Sequence, residues 1–278
     1  MPIVKKSCFT AVAASVLAMT AAMNASTARA AAAPSFVDDG DFNVCVDPTF
    51  PPMEFYEKTG DTQPVGVDVD VAKALAEYWG VKVSFSSMDF NGLLPSLSAQ
   101  RCDAVISGAL LTEDRQKTFD GVGYLNTFIV VVGKAGTAPI DDIDGLAGKA
   151  IAVQSGTTYY DRIVAINGQL KAKGAAPMDI QQYPKQTDAI QQLQVGRVEG
   201  VVSQDTEVAF RELQTPGTFS TIFTVPQDSF QPYAVYMRKS ESDTVRVSAA
   251  ISDLVQAGKL AAIVDKWKLS RNQLDGIQ

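Results

Sequence analysis

The sequence predicts an α/β fold made of two similar sheet-and-helix units. Three observations carry this. Between residues 42 and 107 the patterns alternate strand, helix, strand, helix, strand. Near Tyr124 the order changes, and a fully apolar strand at 128–133 arrives with no helix before it. A second α/β series then starts at Ala150.

The first strand, 42–46, is a short apolar run with β-branched residues, broken by Asp47-Pro48. Residues 67–78 place Val71, Ala72, Leu75, Ala76 and Trp79 on one helical face, with Asp68 as a cap and Gly80 as a stop. Val81, Val83 and Phe85 alternate as a strand. A helix over about 91–99 and a strand at 104–107 complete the first series. The second has a strand at 150–153, a helix from about Thr157, a helix near 187–195 and strands at 200–203 and 219–225. A break at 226–228 precedes the strand 233–237, and the last forty residues read as helices.

The two series echo each other. LSAQRCDAVIS (97–107) resembles LQVGRVEGVVS (193–203): each is a helix end, a turn with arginine, and a strand ending in serine. Each strand is followed by an acidic segment that starts a helix, at 112–115 and 205–207. Any two α/β units share some of this. As an internal repeat it implies two similar sheets whose strand ends face one cleft, and ligands in such sheets bind beyond the carboxyl ends of the strands.

The N-terminus reads as an export signal. Lys5 and Lys6 precede an apolar run over 9–23, and Ala28-Arg29-Ala30 supplies a small-x-small cleavage pattern. The run is shorter and less apolar than a spanning helix requires. Cleavage is expected after about Ala30 or Ala33, and Cys8 lies too early for lipid attachment. Removing the leader takes the formal charge from −7 to about −10, which argues against nucleic acid and anionic membranes as partners. The chain contains no histidine, which excludes Ser-His-Asp and Cys-His catalysis and any His-ligated metal site. No complete phosphate-loop motif is present: Gly148-Lys149 lacks its upstream glycine, and Gly121-x-Gly123 lacks the third. Cys45 and Cys102 remain after cleavage and read either as a disulfide or as two small buried thiols.

Six motifs, in order, carry a resemblance covering nearly the whole exported chain. They are VDPTFPPMEF (46–55), VGVDVDVAKAL (65–75), NGLLPSL (91–97), LTEDRQ (111–116), LAGKAIAVQSGTT (146–158) and PYAVY (232–236). The sequence thereby resembles the family 3 periplasmic solute-binding proteins, which deliver polar amino acids to ABC importers. The resemblance implies the type II periplasmic-binding fold, with an outer lobe at about 36–126 plus 232–278. An inserted lobe at 127–231 is joined to it by two hinge strands. It also implies a monomer in the periplasm, an inner-membrane permease partner, and neither cofactor nor metal.

Candidate ligand-binding residues combine this resemblance with their own chemistry. Arg115 offers a planar fork that grips a carboxylate with two parallel bonds, and a cation in a first helical turn opposes the helix dipole. Gly156, Thr157 and Thr158 open a helix after a strand, where free amides and hydroxyls suit an anionic group, although ordinary capping uses the same residues. The resemblance places Thr158 on the ligand carboxylate and Asp205 on the ligand ammonium. Asp205 also reads as an N-cap, with Thr206 as its substitute. Phe50 and Phe90 match positions that sandwich the solute, against a core-packing alternative. Asp47 matches a position contacting a polar or basic side chain, and it equally suits an Asx-Pro turn. Glu54 is a weaker candidate of that kind. The strand end Ser107-Gly108-Ala109 completes the set.

One departure stands out: Leu110 occupies a position where the family usually carries Ser or Thr, removing about 1 kcal/mol of hydrogen bonding to the carboxylate. Two rival functions follow from the same scaffold. One is a dehydratase of the cyclohexadienyl type, with Asp205 or Glu54 as the acid. The other is a receptor's sensor domain, which the cleavable leader and the lack of a later apolar run disfavour.

Overall fold

A computed structural model describes residues 1–3, 32–227 and 230–278. The export signal and its cleavage site, expected within residues 1–33, fall almost wholly outside them. In the first part of the chain β1 spans Asp41–Val46, β2 Thr49–Phe50 and β3 Glu54–Phe55; α1 spans Val67–Trp79, β4 Lys82–Ser87, α2 Leu93–Ser98, β5 Ala104–Val105 and α3 Glu113–Gln116. β6, Phe119–Thr127, then runs almost directly into β7, Ile129–Lys134. The second part holds β8 Ala150–Gln154, α4 Thr158–Ala172, β9 Asp179–Tyr183, α5 Gln186–Gln194, β10 Gly200–Gln204, α6 Asp205–Gln214 and β11 Phe219–Thr224. β12, Gln231–Arg238, and helices α7, Glu241–Gln256, and α8, Lys259–Lys266, complete the chain.

The strands form two five-stranded sheets of the same design. The first runs β4-β1-β5-β12-β6, with β4, β1 and β5 parallel and β12 antiparallel to both its neighbours. The second, read from β9, runs β9-β8-β10-β7-β11, again three parallel strands followed by an antiparallel one paired on both sides. β5 and β10 hold equivalent places, and they are the two strands of the sequence echo. The chain passes between sheets twice, at Phe128 and between Thr224 and Gln231.

Local chemistry explains the elements that matter for the cleft. α1 stops where Gly80 adopts a left-handed φ of 72° that returns its amide to Ala76 and Glu77. Its N-cap is Gly66, not Asp68 as the sequence suggests. A Cβ on Gly66 would meet the Met53 carbonyl oxygen at 2.1 Å, and its φ is 140°, so only glycine fits where β3 packs on the helix start. Asp68 thereby falls inside the first turn and is fully buried. Four strands escape the sequence reading, the two-residue β2 and β3 and the longer β6 and β9. β6 is interrupted by Asp120, Gly121, Gly123 and Asn126, and β9 is mostly polar, so neither shows an apolar run.

Apolar residues from one face of each sheet and from its covering helices, among them Val44, Val46, Leu75, Ile106, Val153, Ile163 and Val202, pack into one core cluster, and the opposite faces pack separately. Phe55 of the first unit packs on Phe210 of α6, ring centroids 5.5 Å apart, and Trp267 closes against both. The two units are therefore in contact across the cleft. Cys45 and Cys102 form a disulfide, Cα atoms 5.8 Å apart, joining β1 to the turn before β5 and enclosing a sequence separation of 57 residues.

By loop entropy, replacing both cysteines with serine should lower the unfolding free energy by about 2–4 kcal/mol. Denaturant titration measures this. Thiol titration of the exported, unreduced chain should find no free Cys45 or Cys102.

Candidate functional site

The parallel strands of both sheets end towards the same cleft, and polar residues cluster there. Asp47 follows β1 and Gln154 ends β8, and Gln154 Nε2 donates to Asp47 Oδ2 at 2.6 Å across the gap between units. Behind Asp47 lies a continuous buried chain. The Asp47 amide donates to Ser107 Oγ at 2.8 Å, and that hydroxyl donates to Glu54 Oε1 at 2.8 Å. Asp68 accepts from the Gly108 amide at 2.6 Å and from the Tyr124 hydroxyl. Glu54 Oε2 meets no N–H or O–H donor among the described residues and faces the Asp68 carboxylate.

Burial pushes the Glu54 carboxyl well above its usual range, and the nearby Asp68 charge adds to the rise. Both effects favour the protonated form of Glu54, the form that donates to Asp68. Asp68 is also raised by burial, opposed by its bonds from Glu54, Tyr124 and Gly108. Asp47, 2% exposed, is raised to about 6 by burial, offset in part by bonds from Thr49, Gln154 and the Phe90 amide.

Arg115 sits in the single turn of α3, whose N-cap Thr112 accepts from the Arg115 amide at 3.3 Å. Its Nη1 donates to the Leu110 carbonyl at 3.0 Å, an oxygen that also accepts from the Tyr236 hydroxyl at 2.6 Å. The guanidinium lies 5.6 Å from the Phe90 ring centre and 5.9 Å from that of Tyr236. The Leu110 side chain is buried in the core, so this residue serves the arginine through its backbone alone. One edge of the guanidinium fork is thus fixed and the remainder is available to a ligand anion.

Four expected residues meet around one cavity of about 160 Å³: Phe90, Ala109, Arg115 and Gly156. Gly156 approaches the opposite unit closely, since a Cβ there would lie 2.8 Å from Asn91 Cβ. Phe50 is buried with its ring over Gly108, where a Cβ would come within 2.7 Å. Thr157 Oγ1 donates back to the Gln154 carbonyl at 2.7 Å, and Thr158 Oγ1, at the start of α4, is buried without a partner among the described residues. Asp205 stands elsewhere. Its Oδ1 accepts from Thr127 Oγ1 at 2.6 Å and from the Phe128 and Thr206 amides, and it borders a separate cavity with Asn126, Phe230 and Gln273. Burial raises its carboxyl, against these bonds.

Sequence reasoning passed over three buried residues, at the ends of β8 and β10 and the start of α4. Gln154 and Gln204 end parallel strands, and a polar residue closing an apolar strand is the signal that could have found them. Tyr159, buried near Arg115, Glu54 and Glu207, has its hydroxyl pushed well above the usual range by burial and then by Glu207. It looked like an ordinary apolar position of a helix.

Two sheet-and-helix units meeting over a cleft, with a half-free arginine and buried polar strand ends, define a two-lobed ligand-capture protein of the type II periplasmic-binding fold. Residues 42–270 match the model of the bacterial extracellular solute-binding proteins, family 3, and the chain belongs to that family. It is 30% identical over 241 residues to an L-arginine-binding protein of Pseudomonas aeruginosa, covering 84% of this chain and 90% of that one. A solved ancestral arginine-binding protein bound to arginine matches with a TM-score of 0.72 and 31% identity, covering 82% of this chain and 98% of the other. An ancestral amino acid-binding protein described as a precursor of cyclohexadienyl dehydratase matches at 25% identity and TM-score 0.69, covering 84% and 97%.

Asp47 supplies a pH test. Its carboxyl is raised when buried beneath Gln154, so the folded, closed form loses stability as pH rises from about 4 through about 6, then levels off. Asp47→Asn mimics the protonated form. The melting temperature of the variant minus that of wild type should climb across that window and stay flat above it in a scan from pH 4 to 8.

Proposed function

We propose that this chain is the capture component of an ABC importer for amino acids or their derivatives, and that Arg115 anchors the solute's carboxylate. The observation that carries this reading is the guanidinium itself. It is held by Leu110 and flanked by Phe90 and Tyr236, and it faces the cavity between the units with part of its fork unpaired. Phe50, Phe90, Ser107, Gly108 and Ala109 shape the first half-site. Gly156, Thr157 and Thr158 close on the solute from the second, and Asp47 joins the halves through Gln154.

Capture works by closure. Solute bound to the first unit alone gains contacts from Thr158 and its neighbours only when the second unit swings in, and such differential contacts shift an open–closed equilibrium. A micromolar dissociation constant corresponds to about −8 kcal/mol, within reach of one charge-assisted anchor plus burial of the solute's carbon skeleton. The arginine-binding relatives support an amino-acid-like solute. Export after about Ala30, a monomeric state and docking on a membrane permease belong to the same proposal.

The dehydratase reading draws on the structural likeness to a dehydratase precursor. Both acids it would use are already engaged, Glu54 with Asp68 and Asp205 with Thr127 and Phe128. Binding without turnover is therefore favoured, and absence of phenylpyruvate release from the cyclohexadienyl acid checks it.

A thermal-shift screen across amino acids and derivatives should identify a stabilising solute. Calorimetry should then show Arg115→Ala losing at least tenfold in affinity for it, while Arg115→Lys recovers only part because the fork is lost. Unchanged affinity in Arg115→Ala rejects the anchor.

A further inference from the structure

Phe210 ties the two units together away from the cavity beside Arg115. It lies on α6 of the second unit, and its ring meets two rings of the first. The centroid distances are 5.5 Å to Phe55 and 6.3 Å to Trp267, each pair tilted by 55°. None of these three residues lines the cavity that holds Phe90, Arg115 and Gly156. All three are half-buried, so the cluster reaches the surface.

The first unit holds a prepared seat for this ring. Phe55 and Trp267 stand edge to face, centroids 5.8 Å apart at 76°. Trp267 follows α8, and its Nε1 donates to Asp70 Oδ2 of α1 at 2.7 Å. Lys266 Nζ donates to the same oxygen at 2.7 Å and lies 5.2 Å from the centre of the indole. Phe55 ends β3, and its backbone exchanges hydrogen bonds of 2.9 and 2.8 Å with Val65. Both rings are thus fixed from within the first unit, and Phe210 is the ring that arrives from the second.

α6 meets the first unit along one face. Thr206 and Phe210 are four residues apart and therefore neighbours on that helix. Thr206 Oγ1 and the Tyr233 hydroxyl of β12 are hydrogen-bonded at 2.7 Å. The helix is thus fastened at Tyr233 and, one turn further on, at the seat made by Phe55 and Trp267. Parting the units returns the facing surfaces of three aromatic rings to water, and that apolar cost opposes opening whatever occupies the cavity. A contact that favours closure equally for all solutes shifts the open–closed equilibrium without discriminating among them.

We propose that Phe55, Phe210 and Trp267 form a clasp that holds part of the population closed before solute arrives, with Phe210 as its positioning residue. The clasp raises affinity for every solute by the same factor and leaves the choice of solute to the cavity. It goes beyond the capture reading and does not depend on Arg115 as the anchor.

The test is double electron–electron resonance on the exported chain without added solute. Spin labels are placed through Glu57→Cys and Gln214→Cys, exposed positions of opposite units. Phe55 touches Phe210, so these flanking positions draw apart when the units open. The labelled chain with its clasp intact should show a short-distance population. Phe210→Ala removes both ring pairs between the units and should lower the ratio of short to long distances about tenfold, the effect expected of two such pairs. Phe55→Ala, made in the other unit, should shift the ratio in the same direction, and it decides alone if Phe210→Ala does not fold. Absence of the short distance with the clasp intact, or a ratio unchanged or raised in either folded variant, overturns the proposal. No solute enters the measurement, so failure of the Arg115 anchor leaves its outcome standing.

Discussion

The hydrogen-bonded chain from Tyr124 through Asp68, Glu54, Ser107 and Asp47 to Gln154 is the constraint on which the cleft depends. It sets the β3 segment, the ends of β1 and β5 and the start of α1 in one arrangement. A buried polar network is stabilising only when its members are satisfied together. Here a proton on Glu54 is favoured, because two ionised carboxylates side by side in the core would repel. Where the chain reaches Asp47 it leaves the first unit and ends on the second. The internal order of one lobe and the contact between lobes are thus parts of a single network.

Much of the fold was legible because its strands are apolar and its helices end at glycines. The alternation up to Ser107, the restart at Ala150 and the echo between 97–107 and 193–203 already describe two matched sheets, and β5 and β10 do occupy equivalent places. β6 and β9 were not legible. Glycines and polar residues interrupt the pattern of β6, and β9 lies at a sheet edge with little apolar surface to bury. Asp68 misled for a physical reason: an acid near a helix start is usually a cap, and only the close approach of Met53 to Gly66 shows that the cap lies two residues earlier.

The candidate site was read from residues with unusual chemistry for their position, such as Arg115, a cation in a first turn, and Gly156 beside two threonines; the structure brings both to the lining of one cavity. Asp205 and Gln204 show the limit. They are neighbours at a strand end, and pattern alone favours the acid; the structure buries the amide and bonds the acid to Thr127 and Phe128 at the crossing between sheets. Leu110 was marked by what its side chain lacks, whereas its contribution comes from its carbonyl, which no sequence pattern displays.

The disulfide has a bearing on recognition beyond stability. Cys45 stands two residues before Asp47, and Cys102 begins the turn into β5, whose continuation supplies Ser107, Gly108 and Arg115. In the proposed binding mode, the cross-link clamps together the two backbone segments that carry the first half-site. That half then meets the solute already shaped, so little ordering entropy is lost at the encounter.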